Sequence, residues 1–130
     1  MQTKHKLTLA VLAGVAIGVA GATVIHAEQT KTAPGYVVAE VEVIHEATLR
    51  RYSERVPETL APFNHHYVVR GNKIQPLEGD PPKGGIVIIA FDSVEKAREW
   101  YDSPAYAAIK PLRQGAANSR IFIVQGVAPE

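Results

Sequence analysis

The pattern of hydrophobic and polar positions predicts a strand followed by a helix at the start of the folded region. Over residues 36–43 apolar side chains occupy every second position, with Glu40 and Glu42 between them, and this period of two predicts a half-buried strand. Over residues 46–63 the apolar positions recur at spacings of three and four, which predicts a helix with one buried stripe. Pro57 lies inside this segment and is expected to kink the helix or to divide it in two.

Strand-like and helical patterns continue through the second half of the chain. Three further strands are predicted, at residues 66–71, 86–91 and 120–124. The second of these is uniformly apolar, which is typical of a central strand that is buried on both faces. A helix is expected between the last two strands. It begins at Asp92, which forms a pattern like a capping box with Glu95, and it restarts at Ser103, where serine is a cap and the following proline fits the first turn.

The predicted elements follow the βαββαβ order of a ferredoxin-like α+β unit. Two helical segments then cover one face of an antiparallel sheet and leave the other face open. Valine and isoleucine occupy both faces of the strands, so an open face in water would cost roughly 25 cal/mol per Å² of apolar surface. The sequence therefore predicts a homodimer that packs sheet against sheet.

The first 27 residues have the features of a secretory signal peptide. Lys4 and Lys6 precede an uncharged apolar stretch over residues 7–25. Ile25 and Ala27 fit the aliphatic and small positions that signal peptidase requires before its cut. We therefore expect a chain that is exported, with its folded domain in the periplasm or secreted.

Three regions follow from this interpretation: a signal peptide over 1–27, a linker over 28–34 and one folded domain over 35–128. The alternative is a retained leader that anchors the domain to the outer side of the cytoplasmic membrane. The apolar run is long enough to cross a bilayer, and Gly14 with Gly18 forms a GxxxG pair. A membrane is a partner of the protein only in this second case.

Composition and charge exclude several functional classes. The chain has no cysteine, which excludes a disulfide framework, a thiol nucleophile and a zinc–thiolate site. Its formal net charge is +1, and it becomes −1 when Lys4 and Lys6 of the leader are removed. No basic run extends beyond Arg50 and Arg51, whereas a nucleic-acid partner needs a concentrated positive surface. We therefore expect no nucleic acid as a partner.

Several short motifs stand out from residue 35 onward: Gly35-Tyr36, Tyr67-Val68-Val69-Arg70-Gly71, Leu77-Glu78-Gly79, Trp100-Tyr101-Asp102-Ser103-Pro104-Ala105-Tyr106 and Lys110-Pro111-Leu112-Arg113. Through these motifs the domain resembles the domain-of-unknown-function family numbered 1330, of the dimeric α+β barrel superfamily. The resemblance implies the fold and a dimer. It implies no reaction, because the family's function is unestablished, and the superfamily includes cofactor-free monooxygenases, isomerases and haem proteins.

Charged side chains on the face opposite the valine stripe are the first candidates for a ligand site. Glu40 lies on that face of the first strand, and strict alternation places His66 and Arg70 together on one face of the second. Arg120 can join them from the last strand. A carboxylate, an imidazole and a guanidinium together can bind an anionic ligand or move a proton. The alternative is a Glu–Arg ion pair at a dimer interface.

Hydroxyl groups in the most distinctive motif are the second candidates. Tyr101, Ser103 and Tyr106 can line the mouth of a pocket, or they can be structural, with Ser103 as a helix cap and the tyrosines packed against the helix break. His65 and His66 are adjacent on a strand and point to opposite faces, and no HExxH spacing exists, so we expect no metal site. The sequence has no phosphate-binding or nucleophile motif, and we expect no cofactor.

These observations favour a homodimer that binds a small molecule, either as a binding protein or as a cofactor-independent enzyme acting on a small polar or aromatic metabolite. The alternative is a non-catalytic envelope or stress protein whose dimer is structural. A deep cavity on which Glu40, His66 and Arg70 converge would favour the first function. A cavity closed by apolar side chains would favour the second.

Overall fold

The computed structural model describes residues 31–130, in which strands and helices alternate as the hydrophobic pattern predicts. The elements are β1 (Gly35–Val43), α1 (Glu46–Leu60), β2 (His65–Gly71), β3 (Gly85–Phe91), α2 (Val94–Tyr101), α3 (Pro104–Ala116) and β4 (Ala117–Gln125). With α2 and α3 taken as two parts of one interrupted helix, this is the βαββαβ order, and the prediction of a ferredoxin-like α+β fold is confirmed. The predicted leader lies outside the described residues.

The four strands form one antiparallel sheet in the order β2-β3-β1-β4. Residues that stand opposite each other on neighbouring strands share a face, so the register assigns the side chains to two faces. Val37 stands opposite Ile89, and both belong to the face that the helices cover. Val38 stands opposite Ile88 and Phe122, which belong to the other face, called the open face below.

The hydrophobic core lies between the helix-covered face of the sheet and the buried stripes of the helices. Leu60 of α1, Trp100 of α2 and Tyr106 of α3 are almost completely buried there. Trp100 stacks on Phe91 with ring centroids 5.5 Å apart, and its indole N–H donates a hydrogen bond to Thr59 Oγ1 at 3.1 Å. Since burial of one large apolar side chain stabilises a fold by about 1.5–3 kcal/mol, these aromatic contacts fix α2 and α3 on the sheet.

Helix α1 is continuous through Pro57, so the structure does not show the predicted division into two helices. Proline removes one intrahelical hydrogen bond, but Pro57 lies in the last turn, where few backbone bonds remain to be disrupted. The helix ends at Leu60, three residues before the predicted end at Phe63.

The N-terminus of α2 is capped by Ser93 and not by Asp92. Ser93 Oγ accepts a hydrogen bond from the backbone N–H of Lys96 at 3.1 Å. Asp92 accepts a hydrogen bond from Asn64 Nδ2 at 2.7 Å, which links the segment after β3 to the segment before β2. Either residue type fits a cap, and the long-range contact with Asn64 decides between them.

The connection between β2 and β3 returns to the sheet through Gly84. This residue has a φ of +83°, in the left-handed region that favours glycine. A side chain at this position would also collide with the carbonyl oxygen of Val41 in β1. Gly84 therefore allows the connection to close tightly against the neighbouring strand.

The open face of the sheet is apolar at its centre and is not covered by any element within residues 31–130. Val38 and Ile88 occupy its two central strands. On β4, Phe122 and Val124 are each 46% exposed, which is high for large apolar side chains. None of the helices in the described part of the chain is both long and apolar enough to cross a membrane.

Candidate ligand-binding site

A cavity, called the helix-side cavity below, lies between the helix-covered face of the sheet and the helices. Its volume is about 100 Å³, which is below the range of drug-sized pockets and of the order of cavities that hold a single benzene ring. Most of its wall is apolar: Val37, Ala39, Val41, Val56, Val87, Ile89, Trp100 and Ile121. Its polar groups are four hydroxyls and two guanidinium groups: Tyr52, Ser53, Tyr67, Tyr106, Arg70 and Arg113. The described lining residues include no carboxylate.

Three of these polar residues form one hydrogen-bonded chain. The hydroxyl oxygens of Tyr52 and Tyr106 are 2.7 Å apart, and Arg113 Nε donates a hydrogen bond to the Tyr106 oxygen at 3.3 Å. Tyr106 and Arg113 lie seven residues apart on α3, so two helical turns bring them to the same face. One of the two phenol protons forms the hydrogen bond between the tyrosine oxygens. The second remains available to a group inside the cavity.

Burial changes the protonation behaviour of this chain. Burial, reinforced by the neighbouring phenol of Tyr106, raises the pKa of Tyr52 far above its usual range, and Arg113 offsets this only in part. Burial acts to lower the pKa of Arg113, but the phenols of Tyr106 and Tyr52 outweigh it, so that this pKa lies above its ordinary value. At neutral pH the cavity therefore holds a protonated phenol at Tyr52 beside a charged guanidinium.

Arg70 lines the helix-side cavity because β2 contains a bulge at Val68, where its pairing with β3 shifts by one residue. His66 precedes the bulge and lies on the open face, whereas Arg70 follows it and stands opposite Val87 on the helix-covered face. The prediction that His66 and Arg70 share a face was therefore wrong, because an inserted residue reverses strand alternation. The Arg70 guanidinium packs over the ring of Tyr67, 4.6 Å from its centroid.

Glu40 and Arg120 lie on the open face and pair with each other. They stand opposite across β1 and β4, and Arg120 Nη2 approaches Glu40 Oε1 to 2.7 Å. The hydrogen bond and the charge of Glu40 raise the pKa of Arg120. The ion pair of the structural alternative is thus present, with Arg120 as the arginine. Glu40, His66 and Arg70 do not converge on one cavity, because Arg70 lies on the other face of the sheet.

The three hydroxyl residues of the distinctive motif have different positions. Ser103 Oγ accepts a hydrogen bond from the backbone N–H of Tyr106 at 3.2 Å and so caps α3 as predicted. The ring of Tyr101 packs on Tyr106 at a centroid distance of 5.5 Å and lies under the Lys110 ammonium group at 4.0 Å. Of the three residues, only Tyr106 lines the helix-side cavity.

Four polar residues of the cavity were not identified from the sequence as site residues: Tyr52, Ser53, Tyr67 and Arg113. Tyr52 lies within the apolar stripe of the helix predicted over residues 46–63. The sequence position of Arg113 could have indicated a buried charge. An arginine two helical turns after a buried tyrosine lies on the buried stripe, where a charged group needs a partner. Among residues 31–130, no group of three His, Asp or Glu side chains is arranged to hold a metal ion.

Comparison with protein families gives one match that spans the folded part of the chain. The family model described as "Domain of unknown function (DUF1330)" matches residues 34–127. No curated protein matches the chain.

Several solved structures are similar to this one. RPA0582 from Rhodopseudomonas palustris, a protein of unknown function, is 17% identical with a TM-score of 0.59, covering 84% of this chain and 94% of its own. SnoaB from Streptomyces nogalater, a cofactor-independent oxygenase, is 13% identical with a TM-score of 0.53, covering 76% and 96%. A dimeric ferredoxin-like protein of unknown function from Thermobifida fusca is 11% identical with a TM-score of 0.51, covering 75% and 95%. At these identities the similarity establishes the fold alone.

Proposed function

The chain belongs to the DUF1330 family, and because membership carries no activity, we propose a function from the helix-side cavity itself: binding of a small, mainly apolar molecule that carries an anionic group. The composition of the cavity wall supports this proposal. An apolar space the size of one ring is bordered by two guanidinium groups and four hydroxyls, without a lining carboxylate. Positive charge in an apolar site favours a ligand that brings the missing negative charge.

Arg70 and Arg113 contribute differently to this proposed site. Arg113 is buried at 5% exposure, whereas Arg70 is exposed on the edge strand β2. An exposed charge attracts an anion over a distance and is screened by salt, while a buried one acts at contact and is screened much less. We therefore assign to Arg70 the attraction of anions toward the cavity.

Calorimetric titration with benzoate and its neutral isostere benzamide tests the proposal. The purified protein should bind benzoate more tightly than benzamide, and Ala39→Phe, which places a ring in the cavity floor, should abolish binding of both. Ala108→Phe adds the same ring at an exposed position of α3 and is the matched control. Circular dichroism verifies that both variants are folded. Unchanged benzoate affinity in Ala39→Phe would mean that benzoate does not bind in this cavity.

Arg70→Met tests the role of the exposed arginine in the same titration. It should weaken benzoate binding at low salt, and the difference from the unsubstituted protein should shrink as sodium chloride is added. Arg55→Met removes an exposed arginine of α1 that pairs with Glu58 and lies outside the cavity wall, so it should leave benzoate affinity at the unsubstituted level. An effect of Arg70→Met that is equal for benzoate and benzamide would contradict the assignment.

A second candidate function is catalysis without a cofactor, and the Tyr52–Tyr106 pair supports it. A phenol proton next to a charged guanidinium can stabilise a developing oxyanion, which is one requirement for proton abstraction beside a carbonyl group. The cavity wall offers no carboxylate or imidazole, so water would take the carbon-bound proton. The test is exchange of the carbon-bound protons of phenylpyruvate in D₂O, followed by NMR. Exchange faster than in buffer, and lost in Tyr52→Phe, would support an enzyme. Binding without exchange would support a binding protein that is not an enzyme.

We further propose that the protein is a homodimer formed by the open face. Phe122 and Val124 are half exposed there, beside Val38 and Ile88. The Thermobifida fusca protein with the same fold is described as dimeric. Light scattering should give twice the monomer mass, and Phe122→Glu should shift it to the monomer mass, because a charge replaces apolar surface at the centre of the contact. A folded monomer at micromolar concentration without any substitution would contradict the dimer.

A further inference from the structure

Arg113 is 5% exposed as a whole residue and has no carboxylate partner within the described residues. Its side chain makes one hydrogen bond within the described residues, from Nε to the Tyr106 oxygen. A guanidinium has five N–H donors, and the other four belong to the terminal nitrogens, whose planar fork matches the two oxygens of a carboxylate. Neither terminal nitrogen is among the buried atoms without a partner, so the fork has accessible surface that an anion can contact.

Arg113 lines two spaces at the same time. One is the helix-side cavity, and the other is an open recess where the end of α3 meets the start of β4. The recess is also lined by Tyr101, Gln114, Asn118 and Ser119, so its described wall offers hydroxyl and amide groups and no carboxylate. The recess thus differs in character from the apolar cavity, and Arg113 borders both.

Ser119 provides a second, independent indication of a ligand at this place. Its hydroxyl oxygen is buried and has no hydrogen-bond partner, and it is the one side-chain atom of this kind found across residues 31–130. Proteins rarely leave a buried hydroxyl unpaired, because the lost hydration is not replaced. Rotation about the Cα–Cβ bond redirects the hydroxyl among staggered positions, so a ligand in the recess can accept a hydrogen bond from it.

We propose that this recess is a carboxylate subsite, in which the fork of Arg113 binds the carboxylate and the Ser119 hydroxyl donates to it, while the apolar part of the same ligand occupies the helix-side cavity. The ligand class is then a small aromatic or branched-chain monocarboxylic acid. The inference rests on the proposed function, because it assigns an orientation to a ligand of that cavity. It separates the contact made by Arg113 from the longer-range attraction assigned to Arg70.

The test compares benzoate and benzamide affinities in Arg113→Met and Ser119→Ala. Loss of a hydrogen bond to a charged group corresponds to about a tenfold to hundredfold change in affinity, so the benzoate-to-benzamide ratio should fall at least about tenfold in each variant. Ser119→Ala should also unfold at a higher temperature than the unsubstituted protein, because it removes an unpaired buried hydroxyl. Arg113→Lys keeps the charge without the planar fork and should restore only part of the ratio.

The outcomes separate the two proposals. If Ala39→Phe abolishes benzoate binding while Arg113→Met and Ser119→Ala keep the unsubstituted ratio, the cavity is the site and the carboxylate subsite is refuted. If Arg113→Met is unfolded by circular dichroism, the ratio in Ser119→Ala decides. Absence of benzoate binding to the unsubstituted protein at millimolar concentration would refute both proposals.

Discussion

Removal of one hydroxyl group, in Tyr106→Phe, should destabilise the protein strongly although it changes no apolar contact. Tyr106 is 1% exposed, and its ring packs on Trp100 at a centroid distance of 4.3 Å, which phenylalanine preserves. The lost groups are the hydrogen bond with Tyr52 at 2.7 Å and the acceptor for Arg113 Nε at 3.3 Å. The substitution therefore isolates the polar chain inside the core from the packing around it.

The magnitude follows from the two hydrogen bonds. A neutral hydrogen bond contributes about 1 kcal/mol to stability, and one to a charged group about 1.5–3 kcal/mol, so Tyr106→Phe should cost about 2–4 kcal/mol. This is a large fraction of the 5–15 kcal/mol or so that is typical of a folded domain. Most of the cost arises at Arg113, because its buried donor loses the one acceptor it has within residues 31–130.

Urea unfolding followed by circular dichroism measures this cost, with the slope of the transition checked for constancy. The matched control is Tyr101→Phe, which deletes a hydroxyl that makes no hydrogen bond in the described part of the chain and should change stability by less than about 0.5 kcal/mol. If Tyr106→Phe is as stable as this control, with the same slope, the hydrogen-bonded chain does not contribute to stability and its role in the cavity must be abandoned.

Three further predictions concern pH, backbone conformation and export. Because burial raises the pKa of Tyr52, its contribution to stability is complete below the ordinary phenol pKa of about 10 and is lost as pH rises above that value. The urea midpoint should therefore fall less steeply with pH above about 10 in Tyr52→Phe than in the unsubstituted protein. An equally steep fall in both proteins would contradict this. Gly84→Ala should lower the free energy of unfolding by more than about 1–3 kcal/mol in urea unfolding, because the strain of the left-handed backbone and the clash with β1 add together. The control Gly79→Ala has a φ of +71° and no atom near the added methyl group, so it should cost only the conformational part, about 1 kcal/mol. For export, N-terminal sequencing of protein from the cell envelope should begin at Glu28, and recovery of full-length protein in the soluble cytoplasm would contradict export.

Features that depend on neighbouring residues in the chain were predictable from the sequence. The alternation in β1 indicated correctly which face of the strand would be buried. Ser103 was predicted as a cap because serine followed by proline is favourable at a helix start whatever packs around it. Both inferences rely on backbone geometry that repeats within a few residues.

The candidate site depended on contacts that local patterns do not encode. The bulge at Val68 lies between Tyr67 and Val69, all three of which are good strand formers, so no residue marks the insertion. The prediction therefore placed Arg70 on the wrong face of the sheet. The hydrogen-bonded chain of Arg113 and Tyr106 is completed by Tyr52, which lies on a different helix, and a single sequence does not show that these helices pack together.

The division of the sheet into two faces has a consequence for how the protein can change over evolution. Substitutions at cavity positions such as Ala39 or Ile121 alter the ligand space without altering the open face, and those at Val38 or Phe122 do the opposite. Ligand preference and surface recognition can therefore diverge independently among relatives through point mutations. In strand β2, deletion of Val68 would restore regular pairing with Tyr67 still opposite Ile89 and Arg70 still opposite Val87. Loss of one codon at the bulge would therefore keep the charge of Arg70 on the helix-covered face.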